Sequence, residues 1–255
     1  MKFSLVTVSY NSEATIRDTI ESVVGQTHPD IEYLIIDGGS KDSTVRIAEE
    51  YRERIAVLVS ERDNGIYDGM NKGIRRATGD VIAFINSDDF YADCDVIARV
   101  NAALESSGAD CLYADLDYVH RVDTARVIRE WRSKAFVPGD FRRGWHPAHP
   151  TFFVKRAVFE RLGGFDEELR ISADYELMLR FLEAGRIRAT YLPSVLVKMR
   201  DGGESNRSLM NILKANIECY RSFGKNNLRA SPLVMIRKPM SKLAQFVAPL
   251  AARSR

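Results

Sequence analysis

Two hydrophobic periods alternate along the first 110 residues. Runs with strand character occupy 2–8, 31–36, 55–59 and 81–85. Between them, Ile16, Ile20, Val23 and Val24, then Val45, Ala48 and Tyr51, then Ile66, Met70, Ile74 and Ala77 recur at helical spacing. Val96, Ile97, Val100 and Leu104 complete the series. A period of 3.6 puts each helical set on one buried face, and a short apolar run between turn residues fits a strand covered on both sides. Asn11-Ser12 reads as N-cap chemistry for the first helix, Asp42 or Ser43 for the second, and Gly79 as the stop of the third. This alternation predicts a mainly parallel, doubly wound α/β sheet.

The second half is less regular. Residues 111–120 and 126–131 read as two strands of a hairpin, followed by a Pro- and Gly-rich stretch over 138–150. A short strand at 151–154 and a short helix at 158–162 come next. A helix over 174–183 turns Tyr175, Met178, Leu179 and Leu182 inward, 190–199 is a strand, and 209–223 is a closing helix. Beyond it, Ile236, Met240, Leu243, Val247 and Leu250 recur at spacings of four and three, with Lys238, Lys242 and Gln245 between them. Pro239 and Pro249 interrupt that stripe.

Composition refines the picture. A chain of 255 residues has room for one large domain, or one with a small appendage. The formal charge of +2 lacks the strong basic excess of a dedicated nucleic-acid binder. That mean hides an asymmetry: no Asp or Glu follows Glu218, whereas eight Lys and Arg do. A basic amphipathic tail over 224–255 can lie on an anionic membrane, or dock on the protein's own body or a second subunit. Cys94, Cys111 and Cys219 are widely spaced, which disfavours metal clusters and a disulfide framework. No apolar run approaches the roughly 20 residues of a membrane span, and the opening residues lack signal-peptide character. These features predict a cytoplasmic protein, with peripheral attachment to the inner face of the plasma membrane as the tail's alternative.

In doubly wound sheets, ligands bind outside the carboxyl ends of the strands. The four strand ends carry Ser9-Tyr10-Asn11, Asp37, Glu61-Arg62-Asp63-Asn64, and Asn86 with Asp88-Asp89. Such a rim offers an aromatic face, hydrogen-bond partners for a base and ribose, and a carboxylate pair. It has no G-x-G-x-x-G or G-x-x-x-x-G-K-[ST] phosphate loop. Phosphates bound here call for a divalent cation on oxygen ligands, which Asp88-Asp89 can supply. Taken alone, the acidic pair is equally a loop or a cap, Asp37 a turn residue before Gly38-Gly39, and Asp174 a cap after Ser172.

Taken together, SYNSEATI, IIDGGSKDST, DNGIYDGMNKGIRRATGDVIAFINSDD and GGFDEELRISADYELMLR resemble the successive signatures of family-2 glycosyltransferases of the GT-A fold. The likeness is nearest to soluble bacterial members that build polysaccharide and lipopolysaccharide. It implies a glycosyltransferase domain over 1–223, with a nucleotide-donor half at 1–110 and an acceptor half at 111–223. It further implies that Tyr10 packs near the nucleobase, that Asp37 accepts a hydrogen bond from it, and that Asn64, Asp68 and Lys72 line the donor pocket. Asp88 becomes the principal ligand of Mn²⁺ or Mg²⁺. Many relatives carry Asp where this chain has Asn86, so the metal site loses a formal charge; Asn86 offers a neutral oxygen or touches ribose, and Asp89 compensates. Asp174 takes the place of the general base of an inverting transfer, and His149 in WHPAHPTFF orients a loop or the acceptor. The loop 202–205 is expected to close over the donor.

The implied reaction uses a nucleotide-sugar donor, a UDP-sugar first, and a saccharide or lipid-linked saccharide acceptor. Two rivals share features of this sequence. A sugar-1-phosphate nucleotidyltransferase is expected to carry Arg or Lys in a Gly-rich first loop, and residues 9–14 have neither. A non-catalytic nucleotide-sugar-binding module has no need of Asp174.

Overall fold

The computed structural model describes residues 1–202, 209–235, 237 and 238. The first 110 residues run β1 (Phe3–Ser9), α1 (Ile16–Val24), β2 (Ile31–Asp37), α2 (Thr44–Glu49), β3 (Val57–Ser60), α3 (Ile66–Arg76), β4 (Val81–Phe84), β5 (Phe90–Tyr91) and α4 (Val96–Ser107). Then come β6 (Cys111–Val119), β7 (Val127–Trp131), β8 (Phe153–Lys155), α5 (Arg156–Leu162), α6 (Ala173–Leu179), β9 (Ala189–Arg200) and α7 (Leu209–Lys225). A π-helical turn over Arg180–Ala184 extends α6.

One sheet carries the described strands in the order β3-β2-β1-β4-β8-β6-β9-β5, with β7 paired to β6. Strands β3, β2, β1 and β4 are parallel, as the alternation predicts. Beyond them β8 is antiparallel to both neighbours, and the hairpin of β6 and β7 forms as read. The short β5 escapes a periodicity argument because it has two residues and pairs only through β9. In β9 the register slips between Leu192 and Val195, around Pro193, which has no N–H to give the ladder.

All seven residues of β1 are buried. The period of two sends Val6, Val8, Leu34 and Ile36 into one core and Phe3, Leu5, Tyr33 and Ile35 into the other. Helix α3 lies against β1 where a Cβ on Gly69 or Gly73 would come within 2.7 or 2.5 Å of Val8 and Val6. That close approach fixes the helix start, and with it Tyr67 and Asp68, over the strand ends.

Two boundary readings change. Helix α1 starts at Ile16 behind Thr15, and the carbonyl of Ser12 accepts from the N–H groups of Thr15 and Ile16, so residues 11–12 form a turn ahead of the helix. Helix α3 ends at Arg76 with Ala77 extended; Gly79 instead gives β1 room, its Cβ position lying 2.7 Å from the Ser4 nitrogen. The tail positions Ile236, Met240, Leu243, Val247 and Leu250, and loop residues 203–205, lie outside the described residues. Lys238 is described and turns inward, its Nζ 2.7 Å from Cys219 Sγ and 4.6 Å from the Tyr175 ring centroid. Among the described residues no helix is long and apolar enough to cross a membrane.

Glu32 ties β2 to its surroundings. Burial alone would raise its carboxyl, but hydrogen bonds from Ser4, Thr78 and Lys2 outweigh it and hold the carboxyl down at about 2. A depressed carboxylate contributes stability above its unfolded value and loses it as pH falls through the folded one. Glu32→Gln should therefore melt below wild type at pH 7, and the two melting curves should converge as pH falls from about 4.5 toward 2. A gap that stays constant over that range would contradict this role.

Candidate functional site

Parallel register sets one rung of three polar residues at the strand ends: Ser9 pairs with Asp37, and Asp37 with Ser60. The Asp37 carboxylate accepts from Ser9 Oγ at 3.1 Å, Ser60 Oγ at 2.6 Å, the N–H groups of Gly39 and Ser40 at 3.0 and 2.9 Å, and Ser40 Oγ. It is 1% exposed. Both Asp37 oxygens thus accept from protein donors, and the residue frames the loop that follows. Ser40 Oγ in turn receives the Asn11 N–H at 2.8 Å, while Asn11, at φ 47°, accepts the Lys41 N–H. These bonds raise the neighbouring Tyr10 out of the surface, 62% exposed.

A cleft of about 1730 Å³ opens over this rung. Its walls include Tyr10, Asn64, Asp68, Asn86, Asp88, His149 and Asp174, so seven residues named from the sequence meet in one space. Asp68 accepts the Asn64 N–H at 3.0 Å, and that bond and the nearby Lys72 ammonium hold its carboxyl below the usual range. Lys72 is not on the wall. Its Nζ donates to the Arg62 carbonyl at 3.0 Å and pairs with Glu61 and Asp68 at 3.4 Å, bracing the 61–64 loop from behind.

The turn after β4 divides its acids. Asp88 lies on the cleft wall. Asp89 turns away and is fully buried, accepting from Asn86 Nδ2 at 3.0 Å and from the Arg200 N–H at 3.1 Å. Burial first, and the charge of Asp88 second, push the Asp89 carboxyl well up. The structure thus places Asp89 behind the turn and off the cleft wall, where it anchors Asn86 and Arg200. Arg200, at the end of β9, holds the turn further: its guanidinium donates to the Asp88 carbonyl at 2.7 Å, pairs with Asp18 and stacks over Phe90 at 4.9 Å. Nothing in the sequence pattern flags Arg200, because its partners come from the turn after β4 and from α1.

Among the described residues no three His, Cys, Asp or Glu gather as a metal cage. The chemistry of the set still fits Mg²⁺ or Mn²⁺, which Asp88 would hold with the Asn86 carbonyl beside it, because Mg²⁺ commonly takes one or two carboxylates plus substrate phosphates and water.

Asp174 enters the cleft at the start of α6, with Tyr67 Oη 3.4 Å from its Oδ1. His149 is half-buried, stacked on Phe84 at 6.0 Å and edge-on to Phe165 at 5.6 Å. Burial pulls its imidazole below the usual value against the opposing charge of Asp174. Arg129 and Tyr118 also reach the wall, with the guanidinium 4.6 Å over the tyrosine ring. The sequence placed both on strands without assigning them to a site.

The family model described as "Glycosyl transferase family 2" matches residues 4–163. A "PGL/p-HBAD biosynthesis glycosyltransferase" of Mycobacterium bovis is 28% identical over 209 residues, covering 80% of this chain and 79% of that protein. An uncharacterized glycosyltransferase of Mycobacterium tuberculosis is 32% identical over 180 residues, 69% of this chain and 67% of that protein. Among solved structures, S. aureus TarS 1–349 in complex with UDP-GlcNAc has a TM-score of 0.67 at 18% identity, over 92% of this chain and 69% of that one. The mannosyltransferase PcManGT of Pyrobaculum calidifontis, in complex with GDP-Man and Mn²⁺, gives 0.63 at 18%, over 99% and 75%. The fold is GT-A.

The Asn86 contact makes a test. Asn86→Asp sets a second carboxyl against buried Asp89 in place of an N–H donor. It should cost roughly 2 kcal/mol and lower the melting temperature at pH 7. An unchanged melting temperature would show that the Asn86–Asp89 bond contributes nothing.

Proposed function

This chain belongs to glycosyl transferase family 2 and is a glycosyltransferase; from that premise we propose an inverting transfer of sugar from a nucleotide-diphosphate donor, UDP-sugars favoured, to an acceptor hydroxyl in cell-surface polysaccharide or glycolipid synthesis. The observation that carries the proposal is one cleft whose wall takes in Tyr10, Asn64, Asn86 and Asp88 together with Asp174. UDP-GlcNAc in the TarS complex and GDP-Man with Mn²⁺ in the mannosyltransferase complex support the donor class.

In this reading Tyr10 supplies a ring face to the nucleobase, and Asn64 and Asp68 border the donor. A divalent cation held by Asp88 would offset the charge of the departing nucleoside diphosphate. Asp174 accepts the proton of the acceptor hydroxyl as its oxygen bonds to the anomeric carbon from the face opposite the leaving group. The bond from that carbon to the diphosphate oxygen breaks, and the electron pair leaves with the nucleotide. His149, held neutral by its surroundings, borders the acceptor and orients it. The nucleotidyltransferase alternative would release pyrophosphate, whereas this reaction releases nucleoside diphosphate.

Asp88→Asn should lose most turnover with the melting temperature kept, and chelation should abolish wild-type transfer until Mn²⁺ or Mg²⁺ is restored. Full transfer in chelator would remove the metal. Asp174→Asn keeps the shape but cannot take the proton, so transfer should fall by about 10²-fold or more with donor affinity nearly unchanged. Collapse of donor binding in that variant, or retained anomeric configuration in the first product by NMR, would defeat the base assignment. For the basic tail over 224–255, full-length protein should co-sediment with anionic phosphatidylserine vesicles at low salt and leave them at high salt. Equal sedimentation of a variant ending at Phe223 would assign the tail to protein packing.

A further inference from the structure

The loop that delivers Asp174 is held by a residue far away in sequence. Residues 170–172 point three successive N–H groups at one carboxylate. Arg170 donates to Glu218 Oε1 at 3.2 Å, and Ile171 and Ser172 donate to Oε2 at 3.0 and 2.9 Å. Ser172 Oγ adds a bond to the Ala215 carbonyl one turn earlier on α7, at 3.2 Å. From the other side, Tyr67 on α3 donates its hydroxyl to the Ile171 carbonyl at 2.8 Å, with Asp174 Oδ1 at 3.4 Å. Ile171 therefore has its N–H fixed by α7 and its C=O fixed by α3.

We propose that Glu218 is a positioning residue for the transfer, which with Tyr67 clamps the 170–172 loop so that α6 starts with Asp174 facing the cleft. The inference rests on the reading of Asp174 as the base. A carboxylate accepting several backbone N–H groups makes charge-assisted bonds, about twice as strong as neutral ones. Burial, joined by the charges of Asp174 and Glu218, pushes the Tyr67 hydroxyl well up, so it stays protonated and keeps donating. Tyr67 is the residue before Asp68, so the same helix turn borders the donor and braces the base. Helix α7 is thereby part of the catalytic frame, although none of the segments that mark the family reaches it.

The test uses full-length protein and a kcat-against-KM split. Glu218→Ala frees three N–H groups and lets the loop move, so kcat should fall about tenfold or more, because misplacement of a reacting group by about 1 Å can cost up to 10². Donor KM should stay within about twofold, since Glu218 acts through the 170–172 backbone and is not itself on the cleft wall. Glu218→Gln keeps one carbonyl oxygen as acceptor and should recover part of that kcat. A Glu218→Ala enzyme with wild-type kcat, a parallel rise in donor KM, or Gln no better than Ala would overturn the clamp. If the Ala variant does not fold, Tyr67→Phe decides: a several-fold drop in kcat supports the clamp, and wild-type kcat overturns it. Asp174→Asn run alongside separates the readings: activity retained there defeats the base itself, whereas activity lost there but kept in Glu218→Ala defeats only the clamp.

Discussion

One buried carboxylate organises the strand-end rim of the cleft. Asp37 ends the strand between β1 and β3, and it receives the hydroxyls of Ser9 and Ser60 along the same rung. A buried carboxylate without partners is costly, so each of these bonds is expensive to lose. The same oxygens take the N–H groups of Gly39 and Ser40, and Ser40 passes the constraint to Asn11. Three strand tips and the Tyr10 lip thus have one common reference point. The polar rim of the cleft inherits its shape from it.

A second anchor connects that rim with the far side of the sheet. Arg200 at the end of β9 binds the Asp88 carbonyl through its guanidinium and Asp89 through its backbone N–H, and it pairs with Asp18 on α1. Asp88 therefore faces the cleft on a turn fixed from behind by Asp89 and Arg200. Asp88 and Asp89, adjacent and chemically alike, do opposite jobs: one lies on the cleft wall, the other is buried and holds the turn in place.

The first half was legible because its signals are local. Helical and strand periods identified β1 to β4 and their helices, the carboxyl-end rule pointed to Tyr10, Asn64, Asn86 and Asp88, and the family resemblance added Asp68; all five line one cleft. Asp37, Lys72 and Asp89 were located at the right strand ends and helix but assigned to the cleft, because sequence position does not say which way a side chain turns. Whether Asp89 or Asp88 faces solvent depends on Arg200, 111 residues away from Asp89. Glu218 and Tyr67 act through the backbone of the 170–172 loop, and no residue pattern encodes such a contact.

If the donor nucleotide sits on the strand-end rim ordered by Asp37, hydrogen–deuterium exchange of the full-length protein with and without saturating UDP and Mn²⁺ should reveal it. Added protection is expected at Tyr10 to Ser12, Gly38 to Lys41, Asn64 to Asp68 and Asn86 to Asp88, with the β6–β7 hairpin unchanged. Protection confined to the hairpin or to α7, with none along the rim, would contradict it.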